Sequence, residues 1–325
     1  MKKLLLILLC LPMIGFGQNV NIPNPIFKAV LVGDIVINTN GDTEIQVIEA
    51  TQFLGTIFCA NLGISDLTGI QAFTALTILN CSSNLITNLD VSQNTALITL
   101  DCGRNQLTSL DVSTNTALTY LACDSNQLEG LDVSANLALT SLECGGNQLT
   151  YLDVNQNTDL NDLRCQGNQL ISLDVSNNIA LAQMECMWNK FTSLDLSNNT
   201  ALIYLWCSSN QLTSLDLRNG NNTNIELIPT NSAYNIVMTN SPNLSCIDVD
   251  DATWSTANWT VANGNIDPQH YFSNNCSGTA IQEHTTNKKL LKVTDLLGRE
   301  TKGTKNQHLL YIYDDGTVEK RIIIE

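Results

Sequence analysis

Histidine is nearly missing from this 325-residue chain: the only three, His270, His284 and His308, all lie beyond residue 269. An imidazole zinc site or a histidine-based nucleophile pair is therefore excluded from everything before them. Basic side chains are scarce too. Residues 1–287 carry 7 bases against 25 acids, whereas residues 288–325 carry 8 against 6, and the whole chain has a net charge of −16. Duplex nucleic acid needs clusters of Lys and Arg, so it is excluded as a partner. No GxSxG or HExxH motif occurs. Carboxylates alone could run a glycosidase, but here they recur in a regular ladder rather than as one facing pair, and no enzymatic activity is expected. The one long apolar run, at the N-terminus, is too short to span a bilayer comfortably.

What is abundant is a repeat. From Leu76 to Asn222 a 21-residue unit, LxxLxCxxNQLTSLDVSxNTA, is written seven times, and the cysteines keep time: Cys81, Cys102, Cys123, Cys144, Cys165, Cys186 and Cys207. Leu100 and Cys102 stand two apart, so in an extended strand both face one side. Asn105 follows where the chain must turn, since its amide can bond turn backbone. The second half repeats this grammar with Leu107, Leu110, Val112 and Asn115. Each coil thus reads as two short extended segments joined by two asparagine turns. Six apolar side chains cannot offset the conformational entropy of 21 residues, so the coils must stack and their open ends must be capped.

The LxxLxCxxN spacing at this period resembles the bacterial extracellular leucine-rich-repeat proteins of internalin type. The resemblance implies a mainly β solenoid whose activity is the binding of protein or glycan partners. It names no particular ligand.

On either side of the repeats the chain divides as follows. Residues 1–17, MKKLLLILLCLPMIGFG, read as a secretory signal peptide: Lys2 and Lys3, an apolar core, then Gly15 and Gly17 before the cut. Residues 18–53 are an N-terminal cap, with a short helix in PNPIFKAVLVG. Within it Asn38, Asn40, Asp42, Glu44 and Glu49 align with positions 1, 3, 5, 7 and 12 of an EF-hand loop, a spacing that wraps oxygen ligands around calcium. Thr43 stands where that loop wants glycine and Asn38 replaces aspartate, so a plain asparagine-rich capping loop is the other reading. No further cofactor is expected. The solenoid runs over 54–222, opening with a degenerate 22-residue coil on Leu54, Ile57, Cys59, Leu62, Ile64 and Leu67. Residues 223–276 resemble the closing cap of the repeat family, and Cys246 with Cys276, outside the ladder in an exported chain, suggest a disulfide. A polar linker covers 277–287.

The tail, 288–325, resembles the C-terminal sorting domain of type IX secretion, a small β-sandwich. The residues that carry the likeness are the DLLGRE segment (Asp295 to Glu300), YIYDDGTVEKR (Tyr311 to Arg321) and the apolar Ile322 to Ile324. The DDG at Asp314 to Gly316 reads as a hairpin turn. The likeness implies passage through the periplasm to the cell surface or the medium, with the type IX machinery as a partner. A monomer is expected.

Comparing the repeats with one another separates architecture from recognition. Aspartate recurs without change at Asp90, Asp111, Asp132, Asp153, Asp174, Asp195 and Asp216, either capping backbone donors or forming a cation-condensing stripe. The inward cysteines behave as small hydrophobes. The outward positions beside them vary freely, and they nominate a binding face: Asp101, Tyr120, Glu143, Asp162, Arg164, Glu185, Met187, Trp188, Tyr204 and Trp206. The alternative is a structural or calcium-binding surface component, with the tryptophans merely packing over the end coils.

Overall fold

The structure, a computed structural model, describes residues 17–225, 235–276, 290–295, 308–313 and 318–322. All but the last residue of the expected signal peptide lies outside these, as do the linker 277–287 and the DDG turn. The chain divides into two units, residues 1–276 and 277–325.

In the first unit a helical cap precedes the coils. Asn24 starts α1 (Pro25–Gly33): its side chain accepts from the Ile26 and Phe27 amides, and Pro25 supplies a helical φ at the first turn. Phe27 and Leu31, one turn apart, turn into the core. Helix α2 (Val47–Gln52) starts where Glu49 accepts from the Gln46 amide at 3.0 Å.

Nine three- or two-residue strands then form one parallel sheet. They are β1 (Thr56–Phe58), β2 (Ile78–Asn80), β3 (Thr99–Asp101), β4 (Tyr120–Ala122), β5 (Ser141–Glu143), β6 (Asp162–Arg164), β7 (Gln183–Glu185), β9 (Tyr204–Trp206) and β11 (Ile236–Val237). Each regular coil supplies one, and the register joins equivalent residues: Leu79 to Leu100 to Leu121 to Leu142 to Leu163 to Met184 to Leu205. That apolar middle column is fully buried.

The second extended segment of each coil was expected to be a strand throughout. It becomes one only late, where β8 (Ser193–Asp195), β10 (Ser214–Asp216), β12 (Cys246–Asp248) and β13 (Tyr271–Ser273) make a four-stranded parallel sheet. The aspartate side chain accepts from the amide two residues on in both kinds of coil: Asp111, Asp132 and Asp174 at 2.9 Å, and Asp195 and Asp216, at the ends of β8 and β10, at 3.0 Å. The aspartate ladder is thus a stack of Asx turns. Serine hydroxyls and those amides hold Asp111, Asp132 and Asp174 below the ordinary carboxylate range.

Two asparagine ladders tie coil to coil. Asn147 donates to the carbonyls of Cys123 and Cys144, both at 3.0 Å, and accepts from the Leu128 amide at 3.0 Å. The same three partners recur at Asn105, Asn126, Asn168, Asn189 and Asn210, all buried. At the other corner Asn115 donates to the Val91 and Asn94 carbonyls of the preceding coil. Between the corners lie eight reduced, buried cysteines, Cys59 and the seven of the ladder.

At the degenerate first coil the expected spacing holds only in part. Ile57, Cys59, Ile64 and Leu67 are buried, but Leu54 is 74% exposed and Leu62 43%. Phe53 fills the place meant for Leu54, edge-on to Phe73 with ring centroids 6.1 Å apart. Leu62 occupies the turn-asparagine position, so it points outward while Asn84 of the next coil accepts from its amide.

The closing cap carries α3 (Ala252–Asn258), begun by Asp251, whose side chain accepts from the Thr253 and Trp254 amides. Trp254, Trp259 and Phe272 stack edge to face beneath it. Cys246 and Cys276 are joined by a disulfide, their Cα atoms 5.7 Å apart. The second unit is an antiparallel sheet of β14 (Leu290–Asp295), β15 (His308–Tyr313) and β16 (Val318–Ile322) in sequence order. Of the sandwich expected there, the described residues form this single sheet.

Candidate recognition face

The strands β2 to β7 and β9 present their first and third residues outward, because side chains alternate along an extended chain and the middle residue is committed to the core. Neighbouring strands run about 4.8 Å apart, so the third residues form the row Asn80, Asp101, Ala122, Glu143, Arg164, Glu185, Trp206.

This row is organised around Arg164. Its Nε and Nη2 donate to Oδ1 and Oδ2 of Asp162 at 3.2 and 3.0 Å. Its Nη1 stands 3.9 Å from Glu143 on one side, and its Nε 4.0 Å from Glu185 on the other. Beyond these, Tyr120 donates its hydroxyl to Glu143 at 2.9 Å, and Tyr204 hydrogen-bonds Glu185. The order along five coils is therefore Tyr, Glu, Arg with Asp, Glu, Tyr, a near-mirror about Arg164.

The electrostatics follow from this geometry. Burial alone would lower the Arg164 pKa, but the hydrogen bonds and charge of Asp162, with Glu143 and Glu185 behind, raise it. Burial pushes the Glu185 carboxyl above the ordinary carboxylate range, ahead of the downward pull of Arg164. Burial, then the partner carboxylates, also raises the Tyr120 and Tyr204 phenols, so both remain donors. Toward the C-terminal end the Tyr204 and Trp206 rings lie 5.3 Å apart, tilted by 31°. Toward the other end, Asp101, Arg104, Tyr120, Ala122, Asp124 and Glu143 line an open cavity of about 290 Å³.

Eight of the ten nominated residues stand together on this face, and the other two differ. Met187 is buried, at 6% exposure. The strand alternation has ended there, and the equivalent positions vary: Gly103, Gly145 and Ser208 are buried, whereas Ser82, Asp124 and Gln166 are half-buried. A flexible thioether suits such a covered site. Trp188 is 60% exposed, but it sits at the turn rather than on the strand, with a left-handed backbone of φ 54°.

That turn was not legible beforehand. The residue before each ladder asparagine is left-handed in all seven regular coils: Ser83, Arg104, Ser125, Gly146, Gly167, Trp188 and Ser209, with φ from 53° to 66°. Its amide donates to the next coil, as Gly167 does to the Met187 carbonyl at 2.9 Å. Glycine at two of the seven positions was the only signal in the sequence.

The calcium-loop residues are drawn together, but around one another. Glu49 Oε1 accepts from the Thr39 and Asn40 amides and the Thr39 hydroxyl, and its Oε2 from Gln46. Asn38 Oδ1 accepts from Gly41, Asp42 bonds Asn40 and Gln46, and Glu44 pairs with Lys28. Of the carboxylates expected to ligate an ion, Glu49 serves backbone amides, Asp42 the Glu44 amide and two side-chain amides, and Glu44 the Lys28 ammonium. Among the described residues, no three or more His, Cys, Asp or Glu side chains are grouped to hold a metal ion.

Fold and coil geometry together define a leucine-rich-repeat solenoid of 21-residue coils. It is similar to the functional domain of InlJ from Listeria monocytogenes, which includes a cysteine ladder: 38% identity and a TM-score of 0.59 over 71% of this chain and 52% of that one. The chain thus spans about half the length of that structure. Internalin C2 of the same organism shares the fold at 20% identity and a TM-score of 0.54, over 60% of this chain and 89% of that one. So does the ectodomain of the Arabidopsis thaliana receptor kinase GASSHO1/SCHENGEN3, solved in complex with CASPARIAN STRIP INTEGRITY FACTOR 2, at 20% and 0.50, over 67% of this chain and 26% of that one. No protein-family model and no curated protein matches the chain.

Proposed function

We propose that this protein is an exported, non-catalytic scaffold that binds a macromolecular partner through the outward face of β3 to β7 and β9. One observation carries the reading. Coils that are otherwise near-copies differ mainly at the outward strand positions, and the differing residues assemble into one connected network from Tyr120 to Trp206. Residues needed only for architecture repeat, as the asparagine and aspartate ladders do. A face with partly exposed Tyr and Trp rings beside fixed charges has the composition of binding hot spots. The likeness to the InlJ functional domain and to a receptor ectodomain agrees with this use of the fold.

The signal-like N-terminus and the sorting-domain-like tail support delivery to the cell surface or medium through the periplasm, with the type IX machinery as a transient partner.

The binding reading is tested by partner capture from a cell-surface extract, comparing the protein with Tyr204→Ala/Trp206→Ala and with Asp132→Asn/Asp174→Asn on the opposite corner. Loss of capture in the first alone, at unchanged melting temperature, is the expected result. Loss in the second alone would place recognition on the aspartate side.

A further inference from the structure

The strand face is short of positive charge in a particular way. On the seven regular coils the outward strand positions and the two residues after each cysteine hold five carboxylates, those of Asp101, Asp124, Glu143, Asp162 and Glu185, against two guanidiniums and no lysine. One guanidinium, that of Arg164, is consumed internally: Asp162 takes its donors in two-point fashion, and Glu143 and Glu185 share what remains. The face therefore carries about three uncompensated negative charges along roughly 25 Å, taken as five spacings of 4.8 Å. At its C-terminal end stand the paired rings of Tyr204 and Trp206, whose π faces attract cations.

The carboxylates on the opposite corner differ. Each of Asp90, Asp111, Asp132 and Asp174 accepts from a backbone amide of its own turn, which compensates much of its charge locally. On the strand face Asp101 also accepts from the amide two residues on, that of Gly103, at 3.2 Å, but Glu143 and Glu185 hold the two tyrosine hydroxyls, fixing both rings without neutralising those carboxylates. Burial pushes the Glu185 carboxyl upward despite Arg164, so an additional cation beside it would be favourable.

Resting on the recognition face argued above, we propose that its partner is a basic protein segment. The segment runs across the strands from Asp101 to Trp206, with arginine or lysine side chains set beside the Asp101–Glu143 carboxylates and over the Tyr204 and Trp206 rings. Charge complementarity favours this occupant over an acidic protein, which the face repels. It also favours it over a neutral glycan, which would stack on the rings but leave the carboxylates without counter-charges.

The test uses the full protein and four probes: a synthetic peptide alternating arginine with serine, its lysine and glutamate counterparts, and a neutral oligosaccharide. Both cationic peptides should bind, more weakly as salt rises, and the other two should not. Because the whole protein is acidic, charge-matched variants decide where binding occurs. Glu143→Gln/Glu185→Gln should weaken the arginine peptide at least tenfold, whereas Asp132→Asn/Asp174→Asn, with the same loss of two charges, should change it less than twofold. Should the first variant fold poorly, Asp101→Asn/Asp124→Asn removes two charges from the same face and answers the same question. Equal weakening by both pairs, or tighter binding of the oligosaccharide, would overturn the proposal. The two readings fail separately. Absence of cationic preference with capture still lost in Tyr204→Ala/Trp206→Ala refutes the partner chemistry and leaves the face standing; capture unaffected by that variant refutes the face itself.

Discussion

Arg164 and Asp162, two residues apart on strand β6, form a two-point ion pair on the outer face of the sheet, with contacts of 3.2 and 3.0 Å. The guanidinium is thereby laid along the face, within 4.0 Å of Glu143 and Glu185 on the adjoining strands. Arg164→Met leaves three carboxylates on neighbouring strands without their cation. Arg164 is 36% exposed, so solvent screening limits the cost at pH 7 to about 1 kcal/mol. The pH dependence carries the sharper signature. Without the cation the Glu185 carboxyl, which burial already raises against the pull of Arg164, rises further, so the stability it allows is full below about pH 4 and falls as pH rises through the raised value. Melting temperature in the variant should therefore recover toward wild type between pH 7 and pH 4; a constant gap would contradict the network.

The thiol ladder predicts alkaline unfolding. Burial pushes Cys59, Cys165 and Cys207 up to about 12, and the other ladder thiols upward as well. Folded pKa values exceed the unfolded value near 8.5, so the stability is full below that pH and lost above it. Each of the eight thiols contributes a slope of about 1.4 kcal/mol per pH unit. The whole ladder should exhaust an ordinary domain stability within about one to two units. Circular dichroism during base titration should show cooperative unfolding near pH 10, with Cys144→Ala shifted upward. Native signal persisting to pH 11 would refute it.

Trp188 holds a left-handed conformation that glycine holds in the two preceding coils, at a cost of about 1–2 kcal/mol for a side-chain-bearing residue. Because its ring is 60% exposed, Trp188→Gly should gain about 1 kcal/mol of stability in thermal or denaturant melts. A loss larger than that would mean the ring packs more tightly than its exposure indicates.

Removing one ladder asparagine strips three buried partners at once. Asn147→Ala abandons the carbonyls of Cys123 and Cys144 and the Leu128 amide, and unsatisfied buried groups of this kind cost about 1–3 kcal/mol each. The expected fall is about 3–5 kcal/mol, with hydrogen exchange accelerated first in the coils on either side of Asn147. Exchange rising uniformly along the solenoid would show that the ladder does not act coil by coil.

Glu49 serves as the backbone acceptor of its loop. Glu49→Gln should therefore lower the melting temperature equally in millimolar calcium and in chelator, since its NH2 group must face either the Gln46 amide or the Thr39 and Asn40 amides, donor against donor. A calcium-dependent melting temperature in the wild type would support the ion-binding reading of Asn38 to Glu49.

The period, the burial of cysteine and leucine, the asparagine turns and the helical cap were all legible in the sequence, because each is a local rule repeated until chance is excluded. Eight nominated residues reached the strand face for the same reason: alternation in an extended chain fixes which way Tyr120 or Glu185 points. Other features depend on neighbours about 21 residues away, which periodicity does not specify. Met187 is buried at a position, just past the cysteine, where other coils leave Asp124 or Gln166 half-buried. Leu54 was displaced because Phe53 found Phe73. Glu49 gave its oxygens to amides that only the folded loop brings within reach. The mirror about Arg164 belongs with these, for its order is written in the sequence, but only in-register stacking sets Glu143 and Glu185 at matching distances from one guanidinium.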